Sequence, residues 1–384
     1  MLSCQSHHFS LESGVHYLNC AYMSPLPKAV EQVGLKAVSQ KNSPWKITPT
    51  DFFTHAEQVR KLSAQVIHCP DFERIALIPA VSYGMAIVAK NLPLRKGQNI
   101  VVLHEQFPSN VYAWQTLAAE RQAEVRTVMP PEGFTDRGKI WNERLLEAID
   151  AQTALVAVPH VHWADGTVFD LEAVSRRVRT IGAWFVIDGT QSVGAKPIDV
   201  QSIRPDALIC AGYKWLLGPY GTGVAYLGER LDGGKPLEEN WINRLGSEDF
   251  SRLVQYEAQY QPKALRYDMG ERSNFILLPM LAKALELLLE WQVAEIHQYC
   301  TELMRPYFPK LQGLGYRIEE EGYRAAHLFG IRLPKHIQIA KLQQTLAEHR
   351  ISVSFRGEAI RVAPNIYNDK ADVERLLHVL SLFV

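Results

Sequence analysis

An α/β fold built on a large, mainly parallel sheet is predicted by three features of this chain. Short β-type runs alternate with helical patterns through its first two-thirds. Several of those runs are continuously apolar, which suits strands covered on both faces. The length, 384 residues, is ample for a buried site inside one large unit or two units that share a core.

The β-type runs are Arg74–Ile78, Asn99–Leu103, Ala154–Val158, Trp184–Ile187, Ala207–Cys210 and Gly223–Leu227. Helical patterns fall between them at Ser82–Asn91, Ser109–Glu120, Asn142–Ile149 and Leu171–Ile181. Such alternation implies right-handed crossovers between parallel strands. The turn-rich stretch Leu231–Pro236 marks a change of character. A long helix is expected from about Phe275 to Glu295, and a second from about Tyr299 to Leu314. The remainder reads strand, helix, strand, strand, helix: Leu328–Leu333, Ile337–His349, Ile351–Ser354, Glu358–Val362 and Lys370–Leu382. The expected organisation is therefore a segment 1–25 joining the smaller domain, a large domain 26–265 and a smaller α+β domain 266–384.

Composition narrows the function. Lys+Arg and Asp+Glu number 41 each, so the chain carries no overall charge that would favour nucleic acid or an anionic membrane. The most apolar helical stretch, Leu277–Trp291, is interrupted by Lys283, Glu286 and Glu290, unlike a membrane span. Residues 1–13 lack the basic start and apolar run of a signal peptide. The five cysteines are scattered without disulfide or zinc spacing. A reduced, cytoplasmic setting and no metal are expected. No GxGxxG follows the first strand, which disfavours a dinucleotide site.

Five places in the sequence combine into one chemistry, that of pyridoxal 5′-phosphate (PLP). It requires a lysine for an imine, an acid at the pyridine nitrogen, fixed donors for the phosphate and a stacking partner for the ring. Asp188 ends the apolar run Trp184–Ile187, where open α/β sheets bind ligands, although a plain turn aspartate also fits there. Lys214 follows the run Ala207–Cys210 and precedes the glycine-rich Gly218–Gly223. Desolvation at such a place lowers the amine's pKa, while a solvent-reaching lysine is the ordinary alternative. Val81-Ser82 opens a helix, with Ser82 as a candidate N-cap, and helix N-termini bind phosphate. Phe107 follows a strand and is placed to stack on a ring or simply to pack. Arg361 sits in an apolar strand and is suited to a carboxylate, from a substrate or from the protein itself.

In this order the residues resemble the class V aminotransferase family of fold type I PLP-dependent transferases, which includes cysteine desulfurases, kynureninase, isopenicillin N epimerase-like proteins and serine/alanine–glyoxylate transaminases. The resemblance runs from about Tyr17 to the C-terminus. It is strongest at Asp188-Gly189-Thr190-Gln191-Ser192, Gly212-Tyr213-Lys214 and Arg361–Asn368. It implies that Lys214 carries PLP as a Schiff base and shuttles the proton, that Asp188 pairs with the pyridine nitrogen, and that Gln191 reaches the ring's phenolic oxygen. It places Phe107 at the stacking position, Val81, Ser82 and Tyr213 at phosphate positions, and Arg361 on the substrate carboxylate. Asn19 and Trp163 fall on the substrate side. It also implies a homodimer with active sites at the subunit interface.

Two departures from the family bear on function. Desulfurases carry a nucleophilic cysteine shortly before the matching arginine, whereas Ile351–Glu358 contains none. Many relatives place a threonine after a glycine to reach the partner's phosphate. Here Glu271 and Arg272 follow Gly270, and Arg272 is the candidate for that contact. The expected activity is cleavage at Cα–H of an amino acid, foremost transamination. A kynureninase-like hydrolase or an epimerase or lyase is the alternative. Desulfuration and a non-catalytic PLP-binding regulator rank lower.

Overall fold

The computed structural model describes residues 2–133, 135–357 and 359–384. Seven strands form its central sheet: β1 (Ile75–Ile78), β2 (Asn99–Leu103), β3 (Glu124–Val128), β4 (Thr153–Pro159), β5 (Trp184–Asp188), β6 (Ala207–Ala211) and β7 (Gly223–Leu227). Their order across the sheet is β1-β7-β6-β5-β4-β2-β3. Neighbours are parallel except at β7, which runs antiparallel to β1 and β6. The apolar runs coincide with six of these strands. The strand missing from the sequence reading is β3, an edge strand whose Glu124 and Arg126 break up the apolar pattern; Arg126 pairs with Asp150 at 2.7 Å.

Alternation along each strand fills two separate cores. Val101, Val156, Val158, Phe185 and Ile187 point to one face, and Ile100, Val102, Leu155, Trp184 and Val186 to the other. Helices 137–148, 171–181 and 277–291 cover the first face, through Trp141, Val174 and Leu285 among others. Helices 81–91 and 112–121 cover the second, through Met85 and Trp114. The sheet is thus buried on both sides, which explains why its strands read as continuous apolar runs.

Several helices differ from expectation. Helices Lys28–Gln40 and Asp51–Val66 have no counterpart in the sequence reading; both pack against helix Leu277–Trp291. The stretch expected to be one helix to Glu295 breaks at Gln292, where φ is +61°, and a new helix runs Val293–Met304. A single 3₁₀ turn, Pro108–Asn110, precedes helix Tyr112–Arg121.

A smaller unit has its own core of Leu303, Phe308, Phe329, Ile331, Leu342, Val362 and Leu376. Its sheet is antiparallel in the order β9-β10-β8, from β8 (Phe329–Arg332), β9 (Ser354–Arg356) and β10 (Ala359–Val362). Glu358, expected to begin the last of these strands, lies outside the described residues. The N-terminal segment runs beside this unit: His16 and Tyr17 pair in parallel with Ile351 and Ser352, Leu18 enters its core, and Asn19 bridges to Ala363.

Candidate active site

Loops leaving β1, β2, β4, β5 and β6 converge on one cavity of about 270 Å³ at the C-terminal edge of the sheet, where open α/β sheets bind ligands. Asp188 is the last residue of β5 and is buried; Thr190 N–H donates to its Oδ1 at 3.0 Å. Burial pushes its carboxyl up, while Thr190 and Lys214 oppose that. The site therefore favours a cation beside Asp188.

Lys214 follows β6 by three residues and is 6% exposed. Burial, and then Arg361, hold its amine down at about 8, with Asp188 pulling the other way. The loop brings it there through Gly212, whose N–H donates to Thr222 O at 2.7 Å. A Cβ on Gly212 would lie 2.6 Å from Thr222 Oγ1 and 2.9 Å from its carbonyl oxygen, so only glycine fits this crossing. The Phe107 ring lies 5.6 Å from Lys214 Nζ and meets Trp163 edge-on at 5.4 Å. The Tyr213 ring lies 5.5 Å from the same amine and 4.5 Å from that of Tyr220.

Val81 and Ser82 line the cavity as the first two residues of helix 81–91. The expectation that Ser82 is the N-cap is corrected: Ala80, in extended backbone, occupies that place without a side-chain cap. Ala80 O takes the N–H groups of Tyr83 and Gly84. The amides of Val81 and Ser82 precede the first intrahelical bonds and are the donors suited to an anion. Gly84 lets this helix approach the sheet, since a Cβ there would lie 2.7 Å from Ile209 Cγ2.

Gln191 is held at both ends of its amide. Trp215 Nε1 donates to Oε1 at 2.8 Å, and Nε2 donates to Ala21 O at 3.2 Å. That leaves Nε2 one hydrogen for a ligand. Arg361, on β10, is fully buried behind the cavity and donates from Nη1 to Trp163 O at 2.9 Å and from Nη2 to Ser354 Oγ at 3.4 Å. Ser354 Oγ donates in turn to Asn19 Oδ1 at 2.8 Å. Among the described residues no carboxylate pairs with Arg361, and its Nε has no partner. Burial and the neighbouring Arg356 bring its guanidinium down to about 9, still protonated at neutral pH.

The structure thus gathers Val81, Ser82, Phe107, Trp163, Asp188, Gln191, Tyr213 and Lys214 around one space, with Asn19 and Arg361 behind it. Arg272 is elsewhere. It is 5% exposed, its Nε lies 2.9 Å from Asp268 Oδ2, and its guanidinium covers the Phe53 ring at 5.2 Å. Asp268 also pairs with the buried Arg60. Sequence reasoning assigned no role to Ser109, Thr190, Tyr220 or Thr222 in the lining, nor to Ser354 and Arg356; small polar residues after strands carry no distinguishing mark. A hollow of about 550 Å³ at Asn240–Ala258 is larger but contains no buried lysine or acid. Among the described residues no cluster of three His, Cys, Asp or Glu is placed for a metal, and no helix is long and apolar enough to cross a membrane.

A desolvated amine, a buried acid seeking a cation, an aromatic face and a helix N-terminus around one cavity fit PLP. Fold and site together define a PLP-dependent enzyme. The chain belongs to the aminotransferase class-V family, whose model matches residues 28–376. It is similar to an uncharacterized aminotransferase, YcbU, of Bacillus subtilis, 26% identical over 368 residues that cover 94% of this chain and 91% of that one. A probable cysteine desulfurase of Methanothermobacter thermautotrophicus is 35% identical over 161 residues, 42% of this chain and 39% of that protein. Among solved structures, a cysteine desulfurase of Thermococcus onnurineus superposes with a TM-score of 0.84 at 20% identity, over 100% of this chain and 99% of that one. C-DES, solved with glycine covalently linked to its PLP cofactor, gives 0.86 at 20% identity, over 99% and 100%.

Proposed function

We propose that this enzyme is an aminotransferase that acts at Cα–H of an amino acid, as a cytoplasmic homodimer with its sites at the subunit interface. The observation that carries this reading is Lys214: a buried amine at about 8, beside a buried carboxylate and with a carboxylate-free arginine behind it. PLP, when bound, supplies an electron sink for charge developing at the substrate Cα. The amides of Val81 and Ser82, with Tyr213, would hold the phosphate, and Phe107 would be the stacking partner of the ring. Asp188 would keep a proton on the pyridine nitrogen, and the spare hydrogen of Gln191 Nε2 would be available to the phenolic oxygen. Arg361 would grip the substrate carboxylate, with Trp163 and Ser354 fixing its guanidinium and Asn19 holding Ser354. Lys214 Nζ, its proton affinity lowered by burial to about 8 so that about a tenth of it is unprotonated at pH 7, takes the proton from Cα.

Sulfur chemistry is disfavoured by the cysteines. Residues 351–358 contain none. Cys20 is fully buried, and burial pushes its thiol up to about 12. At pH 7 only about one molecule in 10⁵ would carry that thiolate, the nucleophilic form. Exposed Tyr220, which lines the cavity, and exposed Tyr22 support a subunit contact near the site. For the domain division, we keep a segment 1–25 joining the smaller domain, a large domain 26–265 and a smaller domain 266–384, with helix Leu277–Trp291 packing on the large domain's core. Arg272 stays the candidate for a cross-subunit phosphate contact only if the partner's approach draws it from Asp268.

The test is direct. The purified enzyme should be yellow, and borohydride should fix the label on Lys214; a label elsewhere refutes the assignment. Amino acids supplied with a keto-acid acceptor should yield the matching keto acid. Anthranilate and alanine from kynurenine would instead identify a hydrolase, and loss of Cα deuterium without keto acid an epimerase.

A further inference from the structure

Arg356 ends β9, next to the strand that carries Arg361. The register of the β9–β10 hairpin sets Ser354 opposite Arg361. Side chains two apart on a strand share a face, so Arg356 lies on the same face as Ser354 and Arg361. Diagonal neighbours of this kind sit about 7–8 Å apart at the backbone. Both guanidiniums converge on Trp163, a lining residue of the cavity: Arg356 lies 5.2 Å and Arg361 5.9 Å from the indole ring.

Arg356 is half-buried. Its Nη1 donates to Phe355 O at 2.8 Å, and its buried Nε has no partner. Among the described residues no carboxylate pairs with it. Its charge lowers the proton affinity of both Lys214 and Arg361. Two mutually repelling cations beside Trp163, neither paired with a carboxylate among the described residues, form an arrangement that two anions on a single ligand would stabilise. The amides proposed for the phosphate belong to Val81 and Ser82 at the start of helix 81–91 and do not involve Arg356.

We propose that the substrate is an amino acid with an anionic side-chain terminus, its α-carboxylate on Arg361 and its distal carboxylate on Arg356. This deepens the reading of the cavity as an amino-acid site and rests on it. Arg356 is then a specificity-determining residue, not part of the proton transfer.

The experiment uses the PLP-loaded enzyme. Its cofactor absorbance is titrated with glutamate and glutamine, and with aspartate and asparagine. Heat of binding is measured with glutarate and butyrate, which lack the amine. One acid should bind about 10- to 100-fold more tightly than its amide, the range for a hydrogen bond to a charged group, and glutarate more tightly than butyrate. In Arg356→Gln the acid-to-amide ratio should fall to within about threefold, while Arg356→Lys, which keeps the charge without the fork, should retain part of it. Acids and amides binding equally to the unmodified enzyme would overturn the proposal without need of any variant. So would a preference left unchanged in folded Arg356→Gln. A cofactor spectrum that responds to amides and acids alike leaves the amino-acid site standing and removes only this inference; no response to any amino acid removes both.

Discussion

Replacing Lys214 with methionine should make the cofactor-free protein more stable at pH 7. Lys214 is 6% exposed, and burial with Arg361 holds its amine near 8, against an ordinary 10.5. At about 1.4 kcal/mol per pH unit, that difference corresponds to roughly 3 kcal/mol. The unfolded chain keeps the proton up to its ordinary pKa and the folded chain only up to about 8, so the unfolded state binds more protons in between. Stability contributed at this site therefore rises with pH from about 8 to 10.5, and below 8 the full penalty is present. The methionine side chain would remove the penalty but would also deprive Asp188 of the cation that now offsets its burial. The net gain at pH 7 should be about 1–3 kcal/mol, fading as pH approaches 10.5. Urea unfolding of both proteins, followed by tryptophan fluorescence at pH 7 and at pH 10, measures it. A Lys214→Met variant no more stable at pH 7, or a gain that is the same at both pH values, would refute the account of Lys214 as a buried, charge-penalised amine.

Three further outcomes follow from the geometry. Asp188→Asn should bind PLP yet lose about 100-fold or more in kcat, the scale of a displaced acid group; retained activity would show that no proton is held there. Iodoacetamide at pH 7.5 should modify half-buried Cys4 before Cys20, whose thiol is at about 12, as read by peptide mass spectrometry; fast labelling of Cys20 would reopen sulfur chemistry. Asp268→Asn should cost about 3–5 kcal/mol in denaturant unfolding, because Asp268 faces Arg60 and Arg272 and also accepts Leu77 N–H at 2.8 Å; a loss under 1 kcal/mol would contradict that network.

The residues on the sheet's C-terminal edge were legible because each follows an apolar run buried on both faces. The run Trp184–Ile187 reads as an interior strand, which puts Asp188 at its C-terminal, ligand-binding edge, and the neighbouring motif residues decide between that and a plain turn aspartate. Lys214 was legible by the same logic. Other elements were hidden by local chemistry. In helix 51–66 the buried face carries Arg60, neutralised by an aspartate about two hundred residues later, so the helix shows no clean apolar stripe. Strand β3 is an edge with charges along it. The Ser82 cap was misplaced because an alanine in extended backbone opened the helix first. Arg356 was invisible for a different reason: its neighbour Arg361 is a partner only through hairpin register, and spacing of five residues does not announce a shared face.

The carboxylate end of the site is held by parts of the chain that are remote in sequence. Trp163 comes from the loop after β4 and Ser354 from β9, and both accept from Arg361, while Asn19 from the N-terminal segment accepts from Ser354. Ser354 is the link, accepting from Arg361 and donating to Asn19 through one hydroxyl. Ser354→Ala removes both bonds and leaves the buried Asn19 oxygen without that donor, a cost of about 1–3 kcal/mol. If Arg361 holds substrate by its carboxylate, this loosening acts on binding more than on the proton transfer at Lys214. KM for the amino acid should rise by about tenfold with kcat within a few-fold of the parent. Equal falls in kcat and kcat/KM would place Ser354 in the chemical step instead, and an unchanged KM would show that Trp163 alone suffices to orient the arginine.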